Sequence, residues 1–279
     1  MAAATRPLAG KIALVTGSTD GIGRHTATKL ATDGATVLVH GRNQERLAKA
    51  VEGVKKQSSN DQVHGILADI STLAGMRTLS TAVHQHTSVL DILVSNAGIF
   101  ESCRRTTEDG TELVFATNVL APFVTTGLLL PLLRASAAAR VITVSSMSQG
   151  YAAGLVDPQF ERDGGSAFSD HRSYSLSKLC DAMLSMEFHE RFASPTLTFN
   201  TLDPGTVNTK MLDAGWGMCG IAVNRANDQY TLATSENLKG VSGKYFISAR
   251  ETRANPACYD PVARKQLWDY CAKVSGFDY

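Results

Sequence analysis

Short runs of Val, Ile, Leu and Ala alternate with longer amphipathic stretches through most of the chain. Strand-like runs fall at residues 11–16, 35–40, 63–68, 90–95, 140–145, 198–202 and 244–248. Helical periodicity fills much of the space between them, notably at 22–33, 44–57 and 174–191. The strands are continuously apolar instead of alternating, which predicts a parallel sheet covered by helices on both faces. Right-handed crossovers then give a doubly wound α/β fold, with ligands at the carboxyl ends of the strands. The longest apolar stretch, 119–133, carries Pro122 and Pro131 and falls short of the ~20 residues that span a bilayer. It reads as a buried helix, and no integral membrane segment is expected.

Composition narrows the picture only slightly. A chain of 279 residues with 43% hydrophobic and 19% charged residues suits one domain over 1–279, and no linker-like run divides it. The formal net charge of +1 argues against nucleic acid or an anionic membrane surface as the main partner. The basic pairs Lys55-Lys56 and Arg104-Arg105 read as solvated faces. Five scattered cysteines with no C-x-x-C fit free thiols in a reducing compartment. His84 and His86 lack a third ligand at helical spacing, so no metal is expected. The N-terminal residues lack the charged-then-apolar pattern of a secretory signal. A soluble, cytoplasmic protein is expected.

The first strand runs into Thr16-Gly17-Ser18-Thr19-Asp20-Gly21-Ile22-Gly23, directly before a helix. Glycines at G-x-x-x-G-x-G allow a tight turn and close backbone approach to a pyrophosphate, at a helix N-terminus that attracts anions. A ligand-free turn is the alternative. The second strand ends Val39-His40-Gly41-Arg42-Asn43. A carboxylate here would bind a ribose 2′-hydroxyl, whereas a 2′-phosphate requires positive charge. Arg42 supplies that charge, so NADP(H) is favoured over NAD(H); alternatively Arg42 is a surface residue that starts a helix. Tyr174 and Lys178 stand four apart on a predicted helix and share a face. A free phenol titrates near pH ~10, and lowering it by about three units needs on the order of 4 kcal/mol. The Lys178 ammonium and an oxidised nicotinamide ring could supply it. By itself Y-x-x-x-K is a weak pattern.

Taken in order, the Gly-rich turn, Asn96-Ala97-Gly98, Asn118, Ser145-Ser146, Tyr174 with Lys178, and Pro204-Gly205 resemble the short-chain dehydrogenase/reductase family, over about residues 11–248. The resemblance implies a Rossmann-like fold with a seven-stranded parallel sheet. It makes Tyr174 the general acid or base and has Lys178 bind the nicotinamide ribose. Ser146 would polarise the substrate carbonyl, with Ser145 the near alternative, and Asn118 would hold a water in a proton relay to Lys178. The cofactor would meet Gly17, Ser18, Thr19, Asp20, Gly21, Ile22 and Gly23, then Arg42 and Asn43. Asp69 and Ile70 would lie at the adenine, with Asn96, Ala97 and Gly98 along the cofactor. Pro204, Gly205, Val207 and Thr209 would lie near the nicotinamide. Many members pair through two long central helices into dimers or tetramers, although loop insertions leave some monomeric.

One departure separates this chain from the family's compact members: residues 149–172 lengthen the interval between Ser146 and Tyr174. This resembles the branch holding retinol dehydrogenases, plant protochlorophyllide-reductase relatives and the oxidoreductase domain of WW-containing proteins. Residues 211–227 would be a lid over the substrate, followed by a C-terminal extension at 249–279. Met211, Trp216, Met218 and Ile221 suggest an apolar or bulky small-molecule substrate, although packing of the lid on its own domain explains them equally well. The expected activity is hydride transfer between NADP(H) and an alcohol or carbonyl. Reduction of a conjugated double bond is the alternative within enzymes, and a dinucleotide-sensing scaffold the alternative outside them.

Overall fold

The computed structural model describes residues 6–152, 168–277 and 279. Most of the expected insertion at 149–172 therefore lies outside the described residues. The apolar runs form β1 (Ile12–Val15), β2 (Thr36–Gly41), β3 (Val63–Leu67), β4 (Ile92–Ser95), β5 (Ala139–Val144), β6 (Leu197–Asp203) and β7 (Lys244–Ile247). All seven pair in parallel, in the order β3-β2-β1-β4-β5-β6-β7.

The expected seven-stranded sheet needs correcting. An eighth strand, β8 (Arg250–Thr252), pairs antiparallel with β7 at the edge. The two residues between them, Ser248 and Ala249, both have positive φ, at 51° and 57°. Tight hairpins of this kind favour Asn-Gly or other glycine pairs. Ser-Ala carries no such signal, so the turn was invisible in the sequence.

Helices cover both faces. On one side lie α1 (Gly21–Thr32) and α2 (Gln44–Ser58); on the other lie α3 (Leu73–His86), α4 (Leu113–Arg134) and α5 (Asp170–Phe192). Their starts follow the side-chain caps: Asp20 accepts from Gly21 N, Asn43 from Arg46 N, Thr72 from Gly75 N and Ser169 from Arg172 N. α4 begins earlier than its apolar run suggested, because Glu112 caps the amides of Val114 and Phe115 at 2.9 Å each. It includes a π-helical turn, Ala116–Leu120, around Asn118. A local widening of this sort commonly marks a functional position. At full length α4 is long and apolar enough to cross a membrane, yet most of it is buried in this fold.

Two short helices, α6 (Lys210–Trp216) and α7 (Asp228–Thr234), follow β6. The last, α8 (Pro261–Ser275), begins at an Asp260 cap and bridges α4 and α5. Trp268 of α8 lies 4.8 Å from both Phe123 of α4 and Phe188 of α5, measured between ring centres. Tyr279 closes the cluster, 5.4 Å from Phe123, with its hydroxyl donating to Val124 O at 3.1 Å. α4 and α5 are thus held to the chain's own C-terminal helix.

Candidate active site

A cavity of about 630 Å³ opens at the carboxyl ends of the parallel strands, where a doubly wound sheet places its ligands. Most of the expected cofactor residues line it. Gly17, Thr19, Asp20, Gly21, Ile22 and Gly23 come from the β1–α1 turn, Arg42 and Asn43 follow β2, and Asp69 and Ile70 follow β3. Asn96, Ala97 and Gly98 follow β4, Pro204 and Thr209 follow β6, and Tyr174 and Lys178 project from α5. Ser18, Gly205 and Val207 are not among the lining residues, and of the expected catalytic group Tyr174 and Lys178 line the cavity while Asn118 and Ser146 stand behind it. The Ser18 hydroxyl turns inward, donating to Val15 O at 2.6 Å and accepting from His40 N at 3.0 Å. Gly205 is exposed, and buried Val207 pairs with Ile221.

The lining fits a dinucleotide. Gly17 has φ +62°, and a Cβ there would lie 2.8 Å from the Ala97 Cα, so the turn packs backbone against backbone. A Cβ on Gly23 would lie 2.3 Å from Asn96 Nδ2. That amide instead donates to Thr16 O at 2.8 Å and Gly17 O at 3.3 Å, tying the end of β4 to the turn. At the far end of the cavity Arg46 joins Arg42 in the lining. Arg42 precedes the Asn43 cap and Arg46 stands in the first turn of α2, a second cation that sequence reading passed over.

His40 was also missed as a functional residue. Its Nδ1 accepts from Gly17 N at 3.0 Å, and its Nε2 pairs with Ala68 O at 3.1 Å. An amide donor on one side and a carbonyl on the other assign the proton to Nε2 of a neutral ring. Burial holds the imidazole well down, at about 4, against the opposing pull of the Ala68 carbonyl and the Asp69 carboxylate. His40 thus clamps the phosphate-binding turn to the end of β3. The available signal was a polar ring at the end of a buried strand, which requires partners.

At the other end of the cavity the Tyr174 phenol is buried beside Ser146 and Lys178. Burial pushes the phenol up. Lys178 and a hydrogen bond with Ser146 pull it down, while Asp181 and Asp203 push it up again. The lowering expected from Lys178 is present but outweighed. The two serines separate cleanly. Ser145 spends its hydroxyl on Lys178 O at 2.6 Å, whereas Ser146 lies beside Tyr174 and also bonds Ser148, accepting from its backbone N at 3.2 Å and meeting its hydroxyl at 3.3 Å. Asn118 grips the backbone of Ile99 on both sides, at 2.8 and 3.0 Å, and donates to Ser177 Oγ at 3.0 Å. Its contacts brace α4 against α5 and the loop after β4, and the Lys178 ammonium is bonded elsewhere, to Val144 O and Asp181.

Above Tyr174 stands a group of rings. Phe100, His171 and Trp216 have mutual centroid distances of 5.0–5.2 Å, and Phe100 and Trp216 reach the Tyr174 ring at 5.8 and 5.5 Å. Met211 meets the phenol oxygen through its sulfur at 3.7 Å. The helix that carries Met211 and Trp216 is tied across the cavity by the exposed Lys210–Asp20 ion pair at 2.6 Å.

Residues 11–156 match the model of the short chain dehydrogenase family. The chain belongs to the short-chain dehydrogenase/reductase family. Mouse retinol dehydrogenase 13 is 31% identical over 96% of this chain and 84% of its own length. Human polyprenol dehydrogenase is 30% identical over 97% and 86%, and human retinol dehydrogenase 14 is 32% identical over 96% and 87%. Among solved structures, a short chain dehydrogenase from Pseudomonas syringae superposes with a TM-score of 0.72 at 25% identity, covering 88% of this chain and 97% of that one. A short chain dehydrogenase from Escherichia coli CFT073 complexed with NADPH gives 0.72 at 23% identity, over 89% and 100%. The protein is therefore an oxidoreductase of this family, with a nicotinamide dinucleotide as its cofactor, in the branch that includes retinol dehydrogenases.

The relatives also overturn the expected cytoplasmic location. They are named for retinol and polyprenol, isoprenoid alcohols that partition into lipid. Net charge and the lack of a secretory pattern do not bear on where such substrates are met.

Proposed function

We propose that the chain transfers hydride between NADP(H) and the alcohol or carbonyl end of an apolar, isoprenoid-like substrate, with Tyr174 as the acid or base. The observation that carries this is the Tyr174 phenol, hydrogen-bonded to Ser146 behind it, at one end of a glycine-cradled cavity whose other end holds Arg42 and Arg46. The names of the relatives make isoprenoid alcohols the first substrates to try. The ring cluster and Met211 offer an apolar surface where such a chain would lie.

When bound, the dinucleotide supplies or accepts the hydride. The residues do the rest. Arg42 and Arg46 would pair with a 2′-phosphate, and the turn around Gly17 would hold the pyrophosphate at the start of α1. In carbonyl reduction, the substrate oxygen accepts hydrogen bonds from Tyr174 and Ser146, and Tyr174 Oη gives up its proton as negative charge develops there. The Lys178 ammonium stabilises the phenolate that results. Asn118 fixes the loop carrying Ile99 beside the reacting groups. Residues 211–227 act as a lid on a single domain, with Trp216 and Met211 excluding water from Tyr174.

The test is a screen of polyene and isoprenoid aldehydes with NADPH and NADH, and of the matching alcohols with NADP⁺ and NAD⁺, read at 340 nm beside Tyr174→Phe. Turnover with NADPH that disappears in the variant is expected. No turnover of any apolar carbonyl or alcohol, or a variant equal to the wild type, would overturn the proposal.

A further inference from the structure

α5 carries a second buried charge beside Lys178. One turn beyond Lys178, Asp181 places Oδ2 2.9 Å from the ammonium, and both side chains are almost wholly buried. A second Lys178 proton goes to Val144 O at 2.8 Å. That leaves one N–H, and a Cβ added to Gly98 on the cavity wall would lie 3.6 Å from this nitrogen. The other carboxylate oxygen, Asp181 Oδ1, is buried with no hydrogen-bond partner among the described residues. The groups that face it from α4, β5 and β6, such as Pro122, Phe123, Val141 and Phe199, carry no charge. The Asp181 carboxylate is therefore turned almost entirely on one ammonium.

We propose that Asp181 is a positioning residue: it anchors the Lys178 ammonium and offsets much of its positive charge, which keeps Tyr174 in the proton-donating form used for carbonyl reduction. This rests on Tyr174 being the proton-transfer group. An isolated ammonium beside a phenol favours phenolate, whereas an ammonium bonded to a carboxylate acts on it as a weak dipole. The electrostatics agree in direction: Lys178 lowers the phenol, and Asp181 opposes it with a smaller effect. Burial raises the carboxyl itself to about 6, with Lys178 opposing the rise. The Lys178 ammonium is raised as well, because Asp181 and the phenol together overcome its burial. The other ionisable neighbours of Tyr174 are Asp203 at the end of β6 and His171 earlier on α5. Ser146, Phe100, Met211 and Trp216 add no charge. In the device so built, the site holds its proton to high pH and gives it up only to a developing alkoxide.

The experiment titrates the phenol directly by tyrosinate absorbance at 295 nm. Each protein is measured against its own Tyr174→Phe counterpart, so that the other tyrosines cancel, and Asp203 and His171 are present throughout. Asp181→Asn should move the Tyr174 midpoint down by about one pH unit, a tenfold gain in acidity. The rising limb of alcohol oxidation and the falling limb of carbonyl reduction should move with it, and Asp181→Glu should restore the wild-type titration. The double variant Lys178→Met with Asp181→Leu, which removes the pair without stranding either charge, covers the case in which Asp181→Asn does not fold. It should titrate within about half a unit of wild type. An unmoved midpoint in folded Asp181→Asn, or a rise of a full unit or more in the double variant, would overturn the inference. Full activity in Tyr174→Phe would instead defeat the proposed function and leave the titration untouched.

Discussion

The cofactor cradle and the substrate mouth share one end of the sheet, yet they are built by opposite means. The cradle is made of backbone held by buried side chains. Gly17 is fixed by His40 from below and by Asn96 from the side, while Ser18 turns inward to β1 and β2. The mouth is made of side chains held by little. Trp216 is 41% exposed and Met218 60%, none of the α6 residues is buried, and Met147 and Tyr151 beyond β5 stand 52% and 81% exposed. Close backbone approach specifies a pyrophosphate and tolerates little change. An exposed apolar rim can be re-cut for a new substrate without disturbing the fold. The difference teaches where shared chemistry ends and individual specificity begins.

Gly17→Ala strikes the cradle where its backbones pack most closely. Its methyl would face the Ala97 Cα at 2.8 Å on a residue with positive φ. Calorimetric titration should show NADPH binding weakened about 100-fold or more. Near-normal binding would mean that the cradle is softer than its geometry indicates.

Next comes acid stability. His40 is neutral in the fold, held at about 4, and titrates near 6.5 once unfolded. Below pH ~6.5 the unfolded chain takes up this proton and the folded one does not, so the contribution of His40 is complete above ~6.5 and lost as pH falls toward 4. Urea midpoints should record a loss of roughly 2 kcal/mol by pH 5 from this group, and His40→Asn should flatten that slope. A slope unchanged in the variant would remove the clamp from the account. Arg42→Ala then separates phosphate from hydroxyl: NADPH should bind on the order of 20-fold more weakly and NADH within about threefold of wild type. The smallest effect belongs to the mouth. Trp216→Ala should shift kcat/KM among apolar substrates by up to about fivefold while leaving NADPH affinity alone. A change in NADPH affinity of similar size would show that the mouth and cradle are coupled.

The sheet was legible because β1, β2, β4 and β5 are nearly continuous apolar runs, and the cradle because three glycines leading into a helix suit close approach to a phosphate. Side-chain partnerships across the fold were not. His40 looked like one more residue in a strand, and the Lys178–Asp181 pair requires knowing that neither group meets water. Ser145 and Ser146 became distinct only when one hydroxyl was seen to be spent on α5. β8 was hidden by a Ser-Ala turn, and the length of α4 by the glutamate cap that starts it upstream of its apolar run.

The central claim is that Tyr174 moves the proton and does not merely help bind the cofactor. The most direct measurement is the kinetic split in Tyr174→Phe, with NADPH affinity taken by titration and turnover by single-turnover reduction of an apolar aldehyde. The account predicts affinity within about twofold of wild type and a chemical step slowed on the order of 1,000-fold. Reduction at the wild-type rate with NADPH bound would contradict it.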